Sequence, residues 1–287
     1  MKKKKILIVG KKSFIGTCLF YSLKKKFNIK KTNLFSAIKE IRKKHKYDYI
    51  INCTINKNYI NNKYNKKYDF DLKIASNIKS TLTKYVFLSS RKIYKSKSNI
   101  FENQKANPNT NYGKNKFITE IKLLQILKKR LVTLRISNLI GLRISNNKRK
   151  MHNNFMDIFI TQLLNHNRLI KNNKKSFKDF ITINQLCTII EKIIKLDIYG
   201  TYNASLGKKI YLTELTRWLI SASNNVNIPY TTVKKIKKYR SFNEESFTLN
   251  SKKIQKKINY KIKKSDVKKE CLKLSKIICF NKNKIWR

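Results

Sequence analysis

Glycine and proline are almost missing from this 287-residue chain, at 6 and 2 copies. No Pro/Ser-rich linker divides it, and no internal repeat is visible. Acids are scarce as well: 15 Asp and Glu face 68 Lys and Arg, a formal charge of +53. The 3 histidines are widely separated, which argues against a His-based metal site. The 5 cysteines (Cys18, Cys53, Cys187, Cys271 and Cys279) contain no CxxC pair. That argues against a zinc site and a disulfide framework, and points to a reducing cytoplasm. Long apolar runs are absent too. Ile6 to Val9 is cut at once by Gly10, Lys11 and Lys12, short of the about 7–15 residues of a secretory h-region. No later stretch approaches the roughly 20 apolar residues of a membrane span. The expectation is a soluble, unprocessed protein.

What abounds is Lys, Asn, Ile, Tyr and Phe. A charge of +53 invites a nucleic-acid reading. The lysines, however, are spread along the whole chain, and the favoured residues share A/T-rich codons. Compositional drift accounts for both, so no specific nucleic-acid partner is expected. The field still draws polyanions, nucleotide-linked substrates included, and strains the fold by self-repulsion. A hydrophobic fraction of 41% is enough for one large two-lobed domain or two small ones.

Lys5 to Val9 reads as a buried strand and Phe14 to Lys26 as a helix with Ile15, Cys18, Leu19 and Leu23 on one face. Tyr47 to Thr54 (YDYIINCT) and Lys84 to Ser89 read as further buried strands, with a helix over Asp71 to Leu82 between them. A helix from about Tyr112 to Leu127 leads to a strand over Leu131 to Ser137. Short apolar strands alternating with helices predict an α/β protein with a doubly wound parallel sheet. Beyond Gly141 the pattern loosens, except for DFITI (Asp179 to Ile183) with a helix behind it. From about Leu212 the chain is mostly helical and strongly basic.

Gly10 and Gly16 bracket the first strand-to-helix turn. A dinucleotide site needs small residues there, so that backbone N–H groups and the helix N-terminus approach the pyrophosphate. Gly10, Lys12, Ser13, Phe14, Ile15 and Gly16 are the candidate cofactor contacts in this turn. Ser13 stands where the middle glycine is usual; it can donate to a phosphate but takes φ > 0 less freely. NAD-selective folds place an acid about 20 residues past the glycines, on the ribose 2′-hydroxyl. Here the first acid is Glu40. Lys30 and Lys31, in FNIKKTN, and Lys12 suit a 2′-phosphate instead. The reading leans to NADP(H), with NAD(H) as the alternative.

Tyr112 and Lys116 form YxxxK in NYGKNK, which puts both on one helix face. An ammonium beside a phenol moves its pKa from about 10 toward neutrality. Such a tyrosine can exchange a proton with an alcohol or ketone. The same spacing also begins at Tyr21, Tyr59, Tyr230 and Tyr260, so spacing does not choose among them. Context selects Tyr112. It follows LSSRKIY (Leu88 to Tyr94), which ends a predicted central strand. A serine there sits at the ligand crevice of the sheet, within reach of a reacting oxygen.

With these residues in view, the sequence resembles the extended short-chain dehydrogenase/reductase family of nucleotide-sugar epimerases, dehydratases and reductases. GKKSFIG resembles its glycine turn. IINCT resembles a cofactor-contacting strand end, here Asn52, Cys53 and Thr54. LSSRKIY resembles the serine segment, with Ser90 as catalytic and substrate-binding serine and Ser89 beside the cofactor. NPNTNYGKNKFITE is similar to the Tyr–Lys helix. LRISNLIG is similar to the strand whose asparagine, here Asn138, touches the nucleotide-sugar. KDFITINQL has Lys178 where the family usually has arginine. GTYNASLGKKIYLTELT and TLNSKKIQKKINY resemble elements of the C-terminal lobe.

The resemblance implies a Rossmann-type doubly wound parallel sheet with a smaller, mainly helical C-terminal substrate lobe. The NAD(P)-binding domain would be 1–138 plus about 177–203, and the substrate lobe 139–176 and 204–287. Tyr112 would be the acid/base. Lys116 would lower its pKa and hold the nicotinamide ribose. Dehydratases of the family carry Asp-Glu directly after the serine; Arg91 and Lys92 stand here, which argues against elimination of water. Only about 30 residues separate Gly16 from Tyr47, nearer the compact dTDP-4-dehydrorhamnose reductase-like branch. Ser13, and Asp71 in place of the usual asparagine, are departures. The expected protein is a cytoplasmic NADP(H)-dependent nucleotide-sugar oxidoreductase. It would reduce a 4-keto sugar for surface polysaccharide precursors, with a homodimer as the assembly to test. The alternatives are an epimerase that keeps NAD bound, and a non-catalytic NADP- or nucleic-acid-binding protein on the same fold.

Overall fold

The computed structural model describes residues 3–43, 47–78, 82–141, 168–170, 176–221, 231–233 and 245–285. Its centre is a parallel sheet of six strands. In chain order the first five are β1 (Lys5–Val9), β2 (Asn28–Thr32), β3 (Tyr49–Asn52), β4 (Lys84–Ser90) and β5 (Leu131–Ile136). Four short strands follow: β6 (Asn138–Ile140), β7 (Arg168–Ile170), β8 (Phe177–Lys178) and β9 (Phe180–Thr182). β10 (Gly200–Ala204) is the sixth strand of the large sheet, whose order is β10-β5-β4-β3-β1-β2.

Strands buried on both faces need apolar residues at every position, and KILIV and YIIN supply them. Alternation then divides the core in two. Ile6, Ile8, Ile51, Val86, Leu88, Val132 and Leu134 face α1 (Phe14–Leu23) and the helix over Ile183–Leu196. Leu7, Val9, Ile50, Tyr85, Phe87 and Leu131 face α2 (Leu34–Arg42), α4 (Phe70–Ala75) and α5 (Asn111–Leu127). A five-residue α3 (Lys57–Asn61) precedes α4; the helix over Ile183–Leu196 is α6.

The chain reverses direction across the sheet at β1, with β2 on one side and β3 on the other. Such a switch point opens a crevice beyond the strands' carboxyl ends. The short interval before Tyr47 now has a structural meaning: one strand–helix–strand unit, β1-α1-β2, precedes the reversal.

The helix expected over Asp71 to Leu82 ends at Ala75. Asn77 stops it: its Nδ2 donates to the Lys73 carbonyl, and Arg42 Nε donates to its Oδ1. Past β10 come β11 (Ile210–Tyr211), α7 (Leu212–Ile220), β12 (Thr231–Val233), α8 (Lys252–Lys257) and α9 (Lys264–Ile285). α7 packs on α9, while β11 pairs antiparallel with β8 and β12 parallel with β7. No helix among the described residues is long and apolar enough to cross a membrane.

Candidate active site

The glycine turn closes on itself. Gly10 has φ +128°, and its N–H donates to Thr32 O at 2.7 Å, tying the turn to the end of β2. Ser13 has φ −76°, so this position does not need glycine's freedom. Its Oγ donates to Gly10 O and accepts from Gly16 N, both at 3.0 Å. The hydroxyl proton is thus directed into the turn and not toward a phosphate. A Cβ on Gly16 would lie 2.9 Å from Gly10 O and 3.3 Å from Cys53 Cβ. Glycine here lets α1 press onto the ends of β1 and β3. Phe14 and Ile15 begin α1, and first-turn N–H groups have no intrahelical acceptor. With the positive end of the helix dipole behind them, they suit a pyrophosphate.

At β2, Lys30 Nζ lies 2.7 Å from Glu40 Oε1, and Tyr47 OH donates to the other Glu40 oxygen at 3.1 Å. Lys31 Nζ sits over the Phe20 ring at 4.9 Å. Of the three lysines expected at a 2′-phosphate, Lys30 and Lys31 thus have these partners within the protein, and Lys12 lies in the turn. At the end of β3, Asn52 Oδ1 accepts from Thr54 N (2.9 Å) and Thr54 Oγ1 (2.6 Å), and its Nδ2 donates to Asp71. Burial pushes the Cys53 thiol up, out of the reactive range.

The strand period separates the two serines. Ser89 Oγ donates to Glu120 on α5, whereas Ser90, on the opposite face, accepts from Lys92 N at 3.2 Å. So Ser90, not Ser89, has its hydroxyl on the face away from α5. Thr110 Oγ1 caps α5 by accepting from Gly113 N. A Cβ on Gly113 would collide with the Lys92 carbonyl. This glycine, between Tyr112 and Lys116, lets the first turn of α5 press against the 3₁₀ turn that directly follows Ser90. Tyr112 is half-buried there. Lys116 is buried, with Nζ 4.5 Å from the Phe87 ring centre and 3.7 Å from Asp71 Oδ2.

Asp71 also accepts from Asn52 Nδ2 (2.9 Å) and Tyr85 OH (2.8 Å). Burial pushes its carboxyl up, against Lys116 and these donors, which favour the charged form. Sequence reading marked Asp71 only as a departure; no local signal tied it to Lys116. Of the other YxxxK tyrosines, Tyr59 is buried and hydrogen-bonded to Thr119, Tyr21 is exposed and Tyr260 is half-buried. Tyr230 lies outside the described residues.

A cationic cluster that the sequence did not reveal flanks this centre. Arg91 Nη1 and Nη2 lie 3.3 Å from Glu245 Oε2, Lys92 Nζ lies 3.1 Å from it, and Asn109 Nδ2 donates to Oε1. Burial works against the Glu245 charge, but these donors and cations hold its carboxyl at about 2. Lys178 Nζ donates to the Glu245 carbonyl; burial, then Arg91 and Lys92, bring it down to about 8. Asn138, in β6, donates from Nδ2 to Asp179 O at 3.1 Å. No metal-binding cluster exists among the described residues.

No curated protein matches the chain in sequence. The solved UDP-N-acetylglucosamine 4-epimerase from Methanobrevibacter ruminantium M1, in complex with UDP-N-acetylmuramic acid, is 19% identical with a TM-score of 0.72, over 96% of this chain and 98% of that one. The dTDP-4-dehydrorhamnose reductase from Clostridium acetobutylicum is 18% identical with a TM-score of 0.71, over 96% and 99%. The UDP-glucose 4-epimerase from Bifidobacterium longum, in complex with NAD+ and UDP, is 15% identical with a TM-score of 0.74, over 95% and 98%. These likenesses concern the fold. The model of the NAD dependent epimerase/dehydratase family matches residues 6–205, and by that match the chain belongs to this family of enzymes.

Proposed function

We propose that this enzyme reduces a 4-keto nucleotide-sugar, with NADPH favoured over NADH, in the cytoplasmic synthesis of surface polysaccharide precursors. The observation that carries this reading is the contact between Gly113 and the Lys92 carbonyl. It holds the Tyr112–Lys116 end of α5 against the segment that begins at Ser90. Tyr112 gives the carbonyl oxygen its proton, Ser90 orients that oxygen, and Lys116 supports the phenolate and holds the nicotinamide ribose. When bound, the reduced nicotinamide supplies the hydride. Gly10, Phe14, Ile15 and Gly16 receive the pyrophosphate, and Asn52, Cys53, Thr54 and Ser89 shape the cofactor groove through their backbone. Asn138 and Lys178 face the nucleotide-sugar, with residues 139–176 and 204–287 forming the substrate lobe. Arg91 and Lys92, in place of the dehydratase acids, speak against loss of water.

A second reading is an epimerase that retains NAD, returning the hydride to the other face of the sugar. The buried Asp71 carboxylate beside Lys116 favours it, because it offsets positive charge at the cofactor. The experiment is to supply 4-keto nucleotide-sugars with NADPH or NADH and follow nicotinamide absorbance. Net oxidation of the cofactor supports the reductase. Interconversion of C4 epimers without net oxidation supports the epimerase. Tight cofactor binding with neither conversion points to a non-catalytic binding protein.

A further inference from the structure

We infer that Asp71 sets which oxidation state of the nicotinamide the site prefers, by neutralising the Lys116 ammonium. The inference rests on the reading that Lys116 lies at the nicotinamide ribose. It does not depend on which sugar is converted.

The argument is one of charge. Lys116 is 4% exposed and Asp71 5%, so water screens neither well, and a charge here acts at close to its interior strength. The oxidised nicotinamide ring is a cation and the reduced ring is neutral. A lone buried ammonium would repel the oxidised form alone. The Asp71 carboxylate, with Oδ2 3.7 Å from Nζ, removes that penalty.

Burial raises the Asp71 carboxyl, and its contacts oppose that in favour of the charged form, Lys116 first. Its Oδ1 takes two donors, Asn52 Nδ2 from β3 and Tyr85 OH from β4, and its Oδ2 faces the ammonium from α5. The other titratable groups in this region are Asp69 on the same segment, Tyr59 from α3, Cys53 after β3 and Tyr112 from α5. Asp69 is taken up by Leu72 N, Tyr64 OH and Thr119 Oγ1. Asp71 is thus the acid that meets Lys116. Its connections lead to the end of β3, to the second residue of β4 and to the Tyr–Lys helix.

Asp71→Asn tests this with little change of shape. The amide oxygen still accepts from Asn52 and Tyr85, while the charge is gone. Binding of oxidised and reduced cofactor is measured by calorimetry on the full chain, without substrate. In Asp71→Asn, affinity for the oxidised form should fall at least tenfold relative to that for the reduced form. A purely structural role would weaken both forms alike and leave their ratio unchanged, which overturns the inference. The double variant Asp71→Asn with Lys116→Met removes both charges and should restore the wild-type ratio. A double variant with the ratio of Asp71→Asn also overturns it. Wild-type protein that binds neither form would overturn the cofactor reading as well. Failure to reduce 4-keto sugars, with the ratio shifted as expected, would sink only the proposed reaction.

Discussion

The Arg135 guanidinium donates from two nitrogens to the Glu120 carboxylate, with Nη2 2.7 Å from Oε2 and Nε 3.2 Å from both oxygens. Both side chains are about nine-tenths buried. The pair joins β5 to α5, and Ser89 of β4 donates to the same carboxylate. Arg135 also holds Tyr94 OH and the Glu102 carbonyl. Removing one partner of a buried pair leaves a charge uncompensated. Glu120→Ala should therefore cost about 3–5 kcal/mol in denaturant unfolding. Replacing both, Glu120→Leu with Arg135→Met, should recover much of that. A Glu120→Ala cost below about 1 kcal/mol would place the pair among those that contribute little.

Tyr112→Phe removes one hydroxyl from a half-buried ring, so folding and cofactor binding should persist. Turnover should fall by about 10²–10⁴-fold. Ser90→Ala should lower turnover with little change in dinucleotide affinity. Tyr230→Phe and Tyr260→Phe carry the same spacing and should leave turnover nearly unchanged. Steady-state kinetics on all four would show whether Tyr112 is chemically distinct; wild-type rates in Tyr112→Phe would end the proposed mechanism.

Gly113→Ala tests the close approach of α5 to the segment after Ser90. Inside a helix, alanine is ordinarily better than glycine by about 1 kcal/mol. Here its methyl would meet the Lys92 carbonyl, so turnover should fall and thermal stability should not rise. A more stable variant of full activity would show that the helix start has room to spare.

Glu40 holds Lys30 at 2.7 Å. If Lys30 can reach a 2′-phosphate, Glu40→Gln should free it and raise the preference for NADPH over NADH. Fluorescence titration of both cofactors, in wild type and variant, decides this. A tenfold wild-type preference for NADH, about 1.4 kcal/mol, unaltered by Glu40→Gln, would show that the lysines near β2 take no part.

Asp179 is fully buried, and burial pushes its carboxyl up to about 7, although Leu249 N and Gly207 N donate to it. A carboxyl in the unfolded chain titrates near 4. The folded state thus holds the proton more tightly, and its contribution is full below about pH 4. It is lost as pH rises toward about 7. The stability difference between wild type and Asp179→Asn, followed by thermal unfolding, should fall across that interval and level off above it. A flat difference would show that Asp179 is charged throughout.

The sequence alone determined the four inner strands of the sheet, because strands buried on both faces must be apolar throughout and KILIV, YIIN and KYVFLS could be little else; the edge strands β2 (NIKKT) and β10 (GTYNA) lack that signature. The sequence also marked the tight turn into α1 by Gly10 and Gly16; that a side chain at Gly16 would press on Gly10 O and Cys53 is visible only in the structure. It marked the Tyr112 helix by its place after a central strand. It could not rank the lysines, because lysine is everywhere in a chain of charge +53. Only the tertiary structure turned Ser89 toward Glu120 and Ser90 away from it. Only there did Lys30 meet Glu40, Lys116 meet Asp71, and Arg91 meet Glu245. Local pattern records which face of an element is buried. The partner of a charge is fixed by which distant segments the fold brings within about 4 Å, where low dielectric makes pairing decisive.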